Sequence, residues 1–356
     1  MTVGSNTPGA EESSTDETTD PRADLPGSQG EHELQAELGT ADRAEAFYDT
    51  AMQHALTSQM KSFLMDRWMG FASALDGDRP VTEPCFADEG FIRILADDRI
   101  AWPAAAMVDG SGPLVGPNEE RFLSLVTVDW WDTTVGLHIN GSAHRRVAPP
   151  VGVSRDGPAT DWYVLDIEEA YIHCAKHIPE LAVDDGAPEG PEVAPSRTTY
   201  DRLVPAVEKF IGTQVVSFLG TADSEGETDL SPRIGPPGFV QVLDEHTLAW
   251  PEYRGNGIHA SMGNIRERGV ATLTFLDWWN TEAIVRVSGS ATLHDEVAGA
   301  TDLTDVDRTK KWVLMDVEEA TVTTDPPLPS LSVESFDPPW GTDDEEVKKS
   351  GFFTEA

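Results

Sequence analysis

The chain says one thing twice, and this limits its fold more than any other feature. The stretch "GFIRILADDRIAWP", from Gly90, is answered by "GFVQVLDEHTLAWP", from Gly238. Phe91 matches Phe239, Trp102 matches Trp250 and Pro103 matches Pro251, each pair 148 positions apart (239 − 91). The register continues through "LVTVDWW" and "LTFLDWW", which pair Asp129 with Asp277 and Trp130 with Trp278, and through "NGSA" and "SGSA", which pair Gly141 with Gly289. "DWYVLDIEEA" then answers "KWVLMDVEEA". Ahead of each unit, Leu56, Met60, Phe63 and Leu64 correspond to Leu203, Val207, Phe210 and Ile211. Their i, i+4, i+7, i+8 spacing is the apolar stripe of an amphipathic helix, so these are core residues and not a site.

Each unit therefore reads as a helix followed by about six short strands, rich in aromatic and β-branched residues and separated by turn signals. An antiparallel sheet of this kind must close or pack to hide its edges. Two such units in one chain imply an intrachain pseudo-dimer, with a two-fold interface inside one polypeptide. The expected boundaries are an acidic tail at 1–30, a first unit at 31–180, a linker at 181–199 rich in Pro, Gly and acid, a second unit at 200–335 and an acidic C-terminal tail at 336–356. Further pairing of whole chains stays open.

Composition sets the surroundings. The chain of 356 residues carries 63 acidic against 25 basic side chains, a net charge of −38. Such a surface repels phosphates and anionic headgroups, so neither nucleic acid nor membrane is an expected partner. Acid spread through the whole chain suits concentrated salt, which screens self-repulsion, and implies a halophile's cytoplasm. The two cysteines, Cys85 and Cys174, make no disulfide framework. The N-terminal stretch lacks the basic and apolar regions of a signal peptide.

The longest motif is "SPRIGPPGFVQVLDEHTLAWPEYRGNGIHASMGNI", followed by "RVSGSA". It resembles the FMN-binding split barrels of the pyridoxamine 5'-phosphate oxidase family, and most closely a tandem-fused branch of it. "GEHELQAELG" and "YIHCAKHIP" resemble that branch too, so the similarity runs from about Glu31 to Pro329. The resemblance implies a mainly β fold with flanking helices (α+β): two tandem split β-barrels, FMN between them, and a flavin-dependent oxidoreductase acting on a small molecule or electron donor. It places the FMN phosphate at Pro251 to Asn264, with Tyr253 and Asn264 on matching positions. Here Arg254, Gly255, Asn256, Gly257 and His259 replace the basic and hydroxyl residues of many oxidases. Arg286 matches a strand arginine near the flavin, while Ser231 and Arg233 fall where an edge of the flavin or its phosphate is met. The arginine and lysine that bind vitamin B6 substrates are not recognisable.

Chemistry alone gives a compatible reading. A phosphate needs closely approaching backbone N–H groups and a bidentate cation, and "YRGNG" offers both; the plain alternative is a polar loop with left-handed turns. In "YIHCAKHIP", His173 and Lys176 have three readings: contact with the flavin, where a lysine would stabilise the reduced ring, a half-buried structural cysteine with its neighbours, or metal ligation by His173, Cys174 and His177, for which no second cluster completes the set. The first unit lacks a counterpart of Arg254, Gly255 and Asn256, and the second lacks one of "HCAKH". One FMN per chain is expected, cradled by the second unit and closed by His173 and Lys176 of the first. No metal and no catalytic residue is assigned. The alternative is a flavin or haem carrier without turnover, with His173 or His177 as axial ligand.

Overall fold

The computed structural model describes residue 1 and residues 25–108, 114–130, 135–147, 149–150, 161–173, 180–183, 195–253, 255–277, 283–303, 309–326, 328 and 331–335. The chain is mainly β with flanking helices. It begins with α1 (Gln29–Glu37), α2 (Ala41–Thr50) and α3 (Ser58–Met65), then β1 (Met69–Asp76), β2 (Arg79–Phe86), β3 (Arg93–Ala96), β4 (Arg99–Pro103), β5 (Glu120–Val128), β6 (Gly136–Arg146) and β7 (Trp162–His173). β8 (Glu180–Val183) and β9 (Ser196–Tyr200) follow, then α4 (Pro205–Ile211), β10 (Val216–Ala222), β11 (Thr228–Ile234), β12 (Gln241–Asp244), β13 (Thr247–Tyr253) and α5 (Ala260–Arg268). β14 (Val270–Leu276), β15 (Ala283–His294), β16 (Thr309–Thr324) and β17 (Leu331–Ser335) complete it.

The two large sheets have the same strand order. One runs β2-β1-β5-β6-β7-β4-β3 and the other β11-β10-β14-β15-β16-β13-β12. β9 adds to β16, and β8 pairs with β17, so the segment expected as a linker carries strands at both ends. α3 and α4 stand in corresponding places. Thr57 caps α3 by accepting from the Met60 N–H at 3.2 Å, and Pro205 opens α4, where its missing N–H costs nothing. Each helix buries its stripe on its own sheet: Met60, Phe63 and Leu64 in one core, Val207 and Ile211 in the other.

Strand alternation buries both faces of the central strands. In β1, Ala72 and Ala74 point into the first core while Met69 and Phe71 point out of it. The outward residues form a third apolar cluster, where Phe71, Val126, Val128 and Trp130 of the first unit meet Val216, Phe218, Leu276 and Ile284 of the second. β2 packs on β14 and β11 on β5. Polar links cross here too: the Ser124 hydroxyl donates to the Thr228 carbonyl, and the Thr228 hydroxyl donates to the Ser73 carbonyl at 3.2 Å.

The repeated "GSA" has a mechanical cause. Both register shifts on the long hairpins fall at its glycine, between Asn140 and Gly141 on β6–β7 and between Ser288 and Gly289 on β15–β16. A Cβ at Gly141 would strike the Asp166 carbonyl, and one at Gly289 the Asp316 carbonyl, so each bulge needs glycine. The repeated aspartate also has a place: the Asp129 N–H donates to the Val135 carbonyl and the Asp277 N–H to the Ala283 carbonyl, each at 2.8 Å. Trp131, Trp278 and Trp279 lie outside the described residues. No described helix is long and apolar enough to cross a membrane.

Candidate functional site

The expected phosphate loop is built on the end of β13 and the start of α5. Asn256 forms a local turn by accepting from the Ile258 N–H at 3.1 Å. His259 takes the left-handed conformation (φ 68°) as N-cap of α5. The Gly263 N–H is the first in that helix to reach an intrahelical carbonyl, that of His259, which leaves the N–H groups ahead of it as donors at the positive end of the helix dipole. Ser261 and Asn264 are buried in the first turns. The Ser261 hydroxyl donates to Asp229 at 2.6 Å, and the Asn264 amide donates to the Thr221 hydroxyl at 3.1 Å.

The edge strand β11 forms the wall of this site. Its residues Asp229, Ser231 and Arg233 share one face by alternation. Arg233 donates to Glu252 at 2.7 Å, and the Trp250 indole donates to the same carboxylate oxygen at 3.0 Å. Arg233 and Glu252 are both largely buried. Ser217 faces Arg233 in the β10–β11 register, and its buried hydroxyl has no hydrogen-bond partner among the described residues. From the first unit, β6 and β7 bring His138, Asn140, Glu169 and Tyr171. His138 and Tyr171 pair across the strands and stack at 4.8 Å, with their planes 11° apart. The Tyr171 side chain feels the charge of Asp229 across the boundary between units. Asn140 donates to Glu169 at 3.2 Å, while its buried Oδ1 lacks a partner among the described residues.

Burial governs the titration of this cleft. It raises the carboxyls of Asp229, Glu169 and, most strongly, Glu31, against the bonds from Ser261, Asn140 and Tyr48. It lowers His259 to about 4, so that ring is neutral at ordinary pH.

The site also has a cover that the sequence did not indicate. α1 lies on α5 with backbone nearly touching backbone: a Cβ at Gly263 would come 2.5 Å from the Glu31 nitrogen, and one at Gly30 would strike the Gly263 carbonyl. Gln35 donates to the Ile258 carbonyl at 3.0 Å, and the Thr40 hydroxyl donates to the Gly257 carbonyl at 3.0 Å. Ala44, Tyr48 and Met52 pack with Tyr171 and Ile258. The helix pair of the first unit thus holds the loop of the second.

The sequence-predicted residues separate into groups. Ser231, Arg233, Gly255, Asn256 and Asn264 come together around β11 and α5. Pro251 and Tyr253 lie on β13, but on the face opposite Glu252. The buried Tyr253 hydroxyl lacks a described hydrogen-bond partner and feels Asp302. Arg286 belongs elsewhere. Its Nε donates to the Thr82 carbonyl at 2.7 Å, and its Nη2 lies 4.0 Å from Glu83, so it faces the first unit's edge strand and not β11. The backbone of His173 ends β7, two residues beyond Tyr171, which brings the strand to the cleft. Lys176 and Arg254, with Cys174 and His177, lie outside the described residues. Among those described, no group of His, Cys, Asp and Glu could hold a metal ion. His138, Tyr171 and Asp229 were missed. The signal existed for His138, which takes the repeat position of Arg286.

Comparison with known proteins adds a family match over part of the chain. Residues 203–337 match the profile of the family described as pyridoxamine 5'-phosphate oxidase. No curated protein sequence matches the chain. Among solved structures, HupZ from Group A Streptococcus is 18% identical over 33% of this chain and 90% of its own, with a TM-score of 0.27. An FMN-binding protein from Syntrophomonas wolfei is 12% identical over 30% and 76%, with a TM-score of 0.24. An F420 reductase is 13% identical over 36% and 98%, with a TM-score of 0.23.

Proposed function

We propose that this protein, whose residues 203–337 match the profile of the pyridoxamine 5'-phosphate oxidase family, binds a flavin mononucleotide in the cleft between β11, the start of α5 and the β6–β7 hairpin of the first unit, and serves as an oxidoreductase for a small molecule. The observation that carries this reading is the convergence of Ser231, Arg233 and the α5 N-terminus, all inside the matched segment, with buried groups from both units that lack partners among the described residues. Ser217 offers a hydroxyl and Asn140 an acceptor oxygen. These suit a ligand with both donors and acceptors on its rim. For the phosphate end, the described chain offers Arg233 and the first-turn N–H groups of α5. Glu252 orients Arg233 and offsets part of its charge.

A bound flavin would supply the electron transfer itself. The chain's part is to hold the ligand and control what reaches it. His138 stacked on Tyr171 forms a flat aromatic wall. Asp229 accepts from Ser261, and burial raises its carboxyl above the usual aspartate range. The helix pair α1–α2 covers Gly257 and Ile258, while Gly255 and Asn256 stay open to solvent. The equal strand orders of the two sheets support an origin by internal duplication, and only the second unit's loop opens into a helix like α5 among the described residues. This favours one flavin per chain.

The test is titration with FMN, followed by quenching of flavin fluorescence. Replacement of Arg233 by Met weakens binding at least about tenfold, the size of one lost charge-assisted bond. Replacement of Tyr253 by Phe, on the far face of β13, leaves affinity unchanged. Equal affinity in the Arg233 variant would remove the assignment of this cleft.

A further inference from the structure

The first unit sends two side chains onto the loop that the second unit builds ahead of α5. Thr40 is the N-cap residue of α2, yet its hydroxyl caps nothing in that helix. It donates instead to the Gly257 carbonyl at 3.0 Å and lies 3.1 Å from His259 Nε2. Arg43 follows three residues later, on the same side of the chain. Both pack on Gly257: a Cβ there would come 3.2 Å from Arg43 Cδ and 3.3 Å from Thr40 Cβ.

The charges around this loop set Arg43 apart. Glu252 holds Arg233, Glu37 holds Arg266 and Asp78 holds Arg268. Arg43 is exposed and makes no hydrogen bond or ion pair with any described residue, in a chain with 63 acidic side chains against 25 basic. Its charge is felt on the loop, at the His259 ring. A phosphate monoester brings about two negative charges. Glu252 offsets Arg233, and the start of α5 supplies only a partial charge. Arg43 is the cation at the loop whose charge no described carboxylate offsets. Gly255 and Asn256 are exposed, and a Cβ at Gly255 would meet nothing within 4 Å, so that side of the loop has room for a ligand. The cleft also carries a sign of a ligand apart from the helix end: Ser217, fully buried opposite Arg233, keeps a hydroxyl without a partner among the described residues.

We propose that Arg43 is a binding residue of the flavin cleft. Carried on α2 of the first unit, it meets the phosphate of a mononucleotide held by the loop of the second, and it makes the cleft select phosphorylated flavin over riboflavin. This rests on the flavin reading and adds to it a cation from the other unit.

The experiment titrates the natural protein, Arg43→Met and Arg43→Lys with FMN and, separately, with riboflavin at one fixed salt concentration, read by flavin fluorescence. The natural protein prefers FMN. Arg43→Met binds FMN about tenfold more weakly and riboflavin as before, so the preference shrinks by that factor. Arg43→Lys, which keeps the charge without the planar fork, falls between the two. Unchanged FMN affinity in Arg43→Met overturns the proposal. So does an equal loss for FMN and riboflavin, which would show that Arg43 only seats α2 on the loop. A natural protein that binds both flavins equally well overturns the proposal and leaves the flavin reading standing. One that binds neither overturns both.

Discussion

Phe71 and Phe218 stack on one another, with ring centroids 3.6 Å apart and planes 19° apart. They occupy equivalent positions in the two sheets, so each ring meets its own counterpart, as residues do on a two-fold axis. Both are fully buried in the apolar cluster between units. Replacing Phe218 by Ala leaves a cavity that no water can line favourably and costs about 3–5 kcal/mol. The double variant with Phe71→Ala should cost less than the sum of the two single changes, by about 1 kcal/mol of lost stacking. Chemical denaturation of the four proteins checks this; full additivity would show that the rings do not interact.

The close approach of α1 to α5 gives an unusual expectation for Gly263. In an exposed helix, Gly→Ala stabilises by up to about 1 kcal/mol. Here the new methyl would meet the backbone of Glu31. Gly263→Ala should therefore destabilise and release α1–α2, read as faster proteolysis in residues 25–50 and weaker FMN binding. A variant as resistant as the natural protein would show that the helix pair is not seated on α5.

Burial raises the Glu83 carboxyl to about 7, against the opposing pull of Arg286 and Arg197. Its folded pKa lies above its unfolded value of 4.5, so the folded state holds the proton longer. Stability from this group is full below about pH 4.5 and is lost as pH rises through 7. The lost stability is on the order of 3 kcal/mol. Glu83→Gln should flatten that part of the profile in urea titrations between pH 4.5 and 7. An unchanged slope would mean that Glu83 ionises freely in the fold.

His259 works in the opposite sense. Its folded pKa is about 4 because burial disfavours the charged ring, where an open histidine has 6.5. The unfolded chain takes the proton first, so stability is full above pH 6.5 and falls as pH drops toward 4, again by about 3 kcal/mol. His259→Gln should remove this acid-side loss. Since the two effects oppose each other across one window, only the single variants separate them.

Much of the fold was legible because the chain states it twice. The pairs Phe91/Phe239 and Trp102/Trp250 fixed the repeat, and the Asp129/Asp277 and Gly141/Gly289 pairs now have identical backbone roles at a turn and a bulge. The site was less legible, for a geometric reason. Sequence motifs locate residues along one unit, whereas each cleft draws its walls from both. Arg286 is close in sequence to the loop at 255–264, yet its strand carries it across the pseudo-two-fold to Thr82 and Glu83. Tyr171, stacked on His138, makes the reverse crossing toward Asp229. Tyr253 was separated from Arg233 by the alternation of one strand. The docking of α1 on α5 rests on two glycines whose meaning is visible only when the helices cross.

The most direct test of the central claim is an absorbance spectrum of the purified protein, with any chromophore released by heat and identified. The account predicts flavin bands, with FMN released at near one per chain and lost in Arg233→Met but kept in Arg286→Met. A colourless protein that fails to take up added FMN, or one that carries a Soret band in its place, would contradict it.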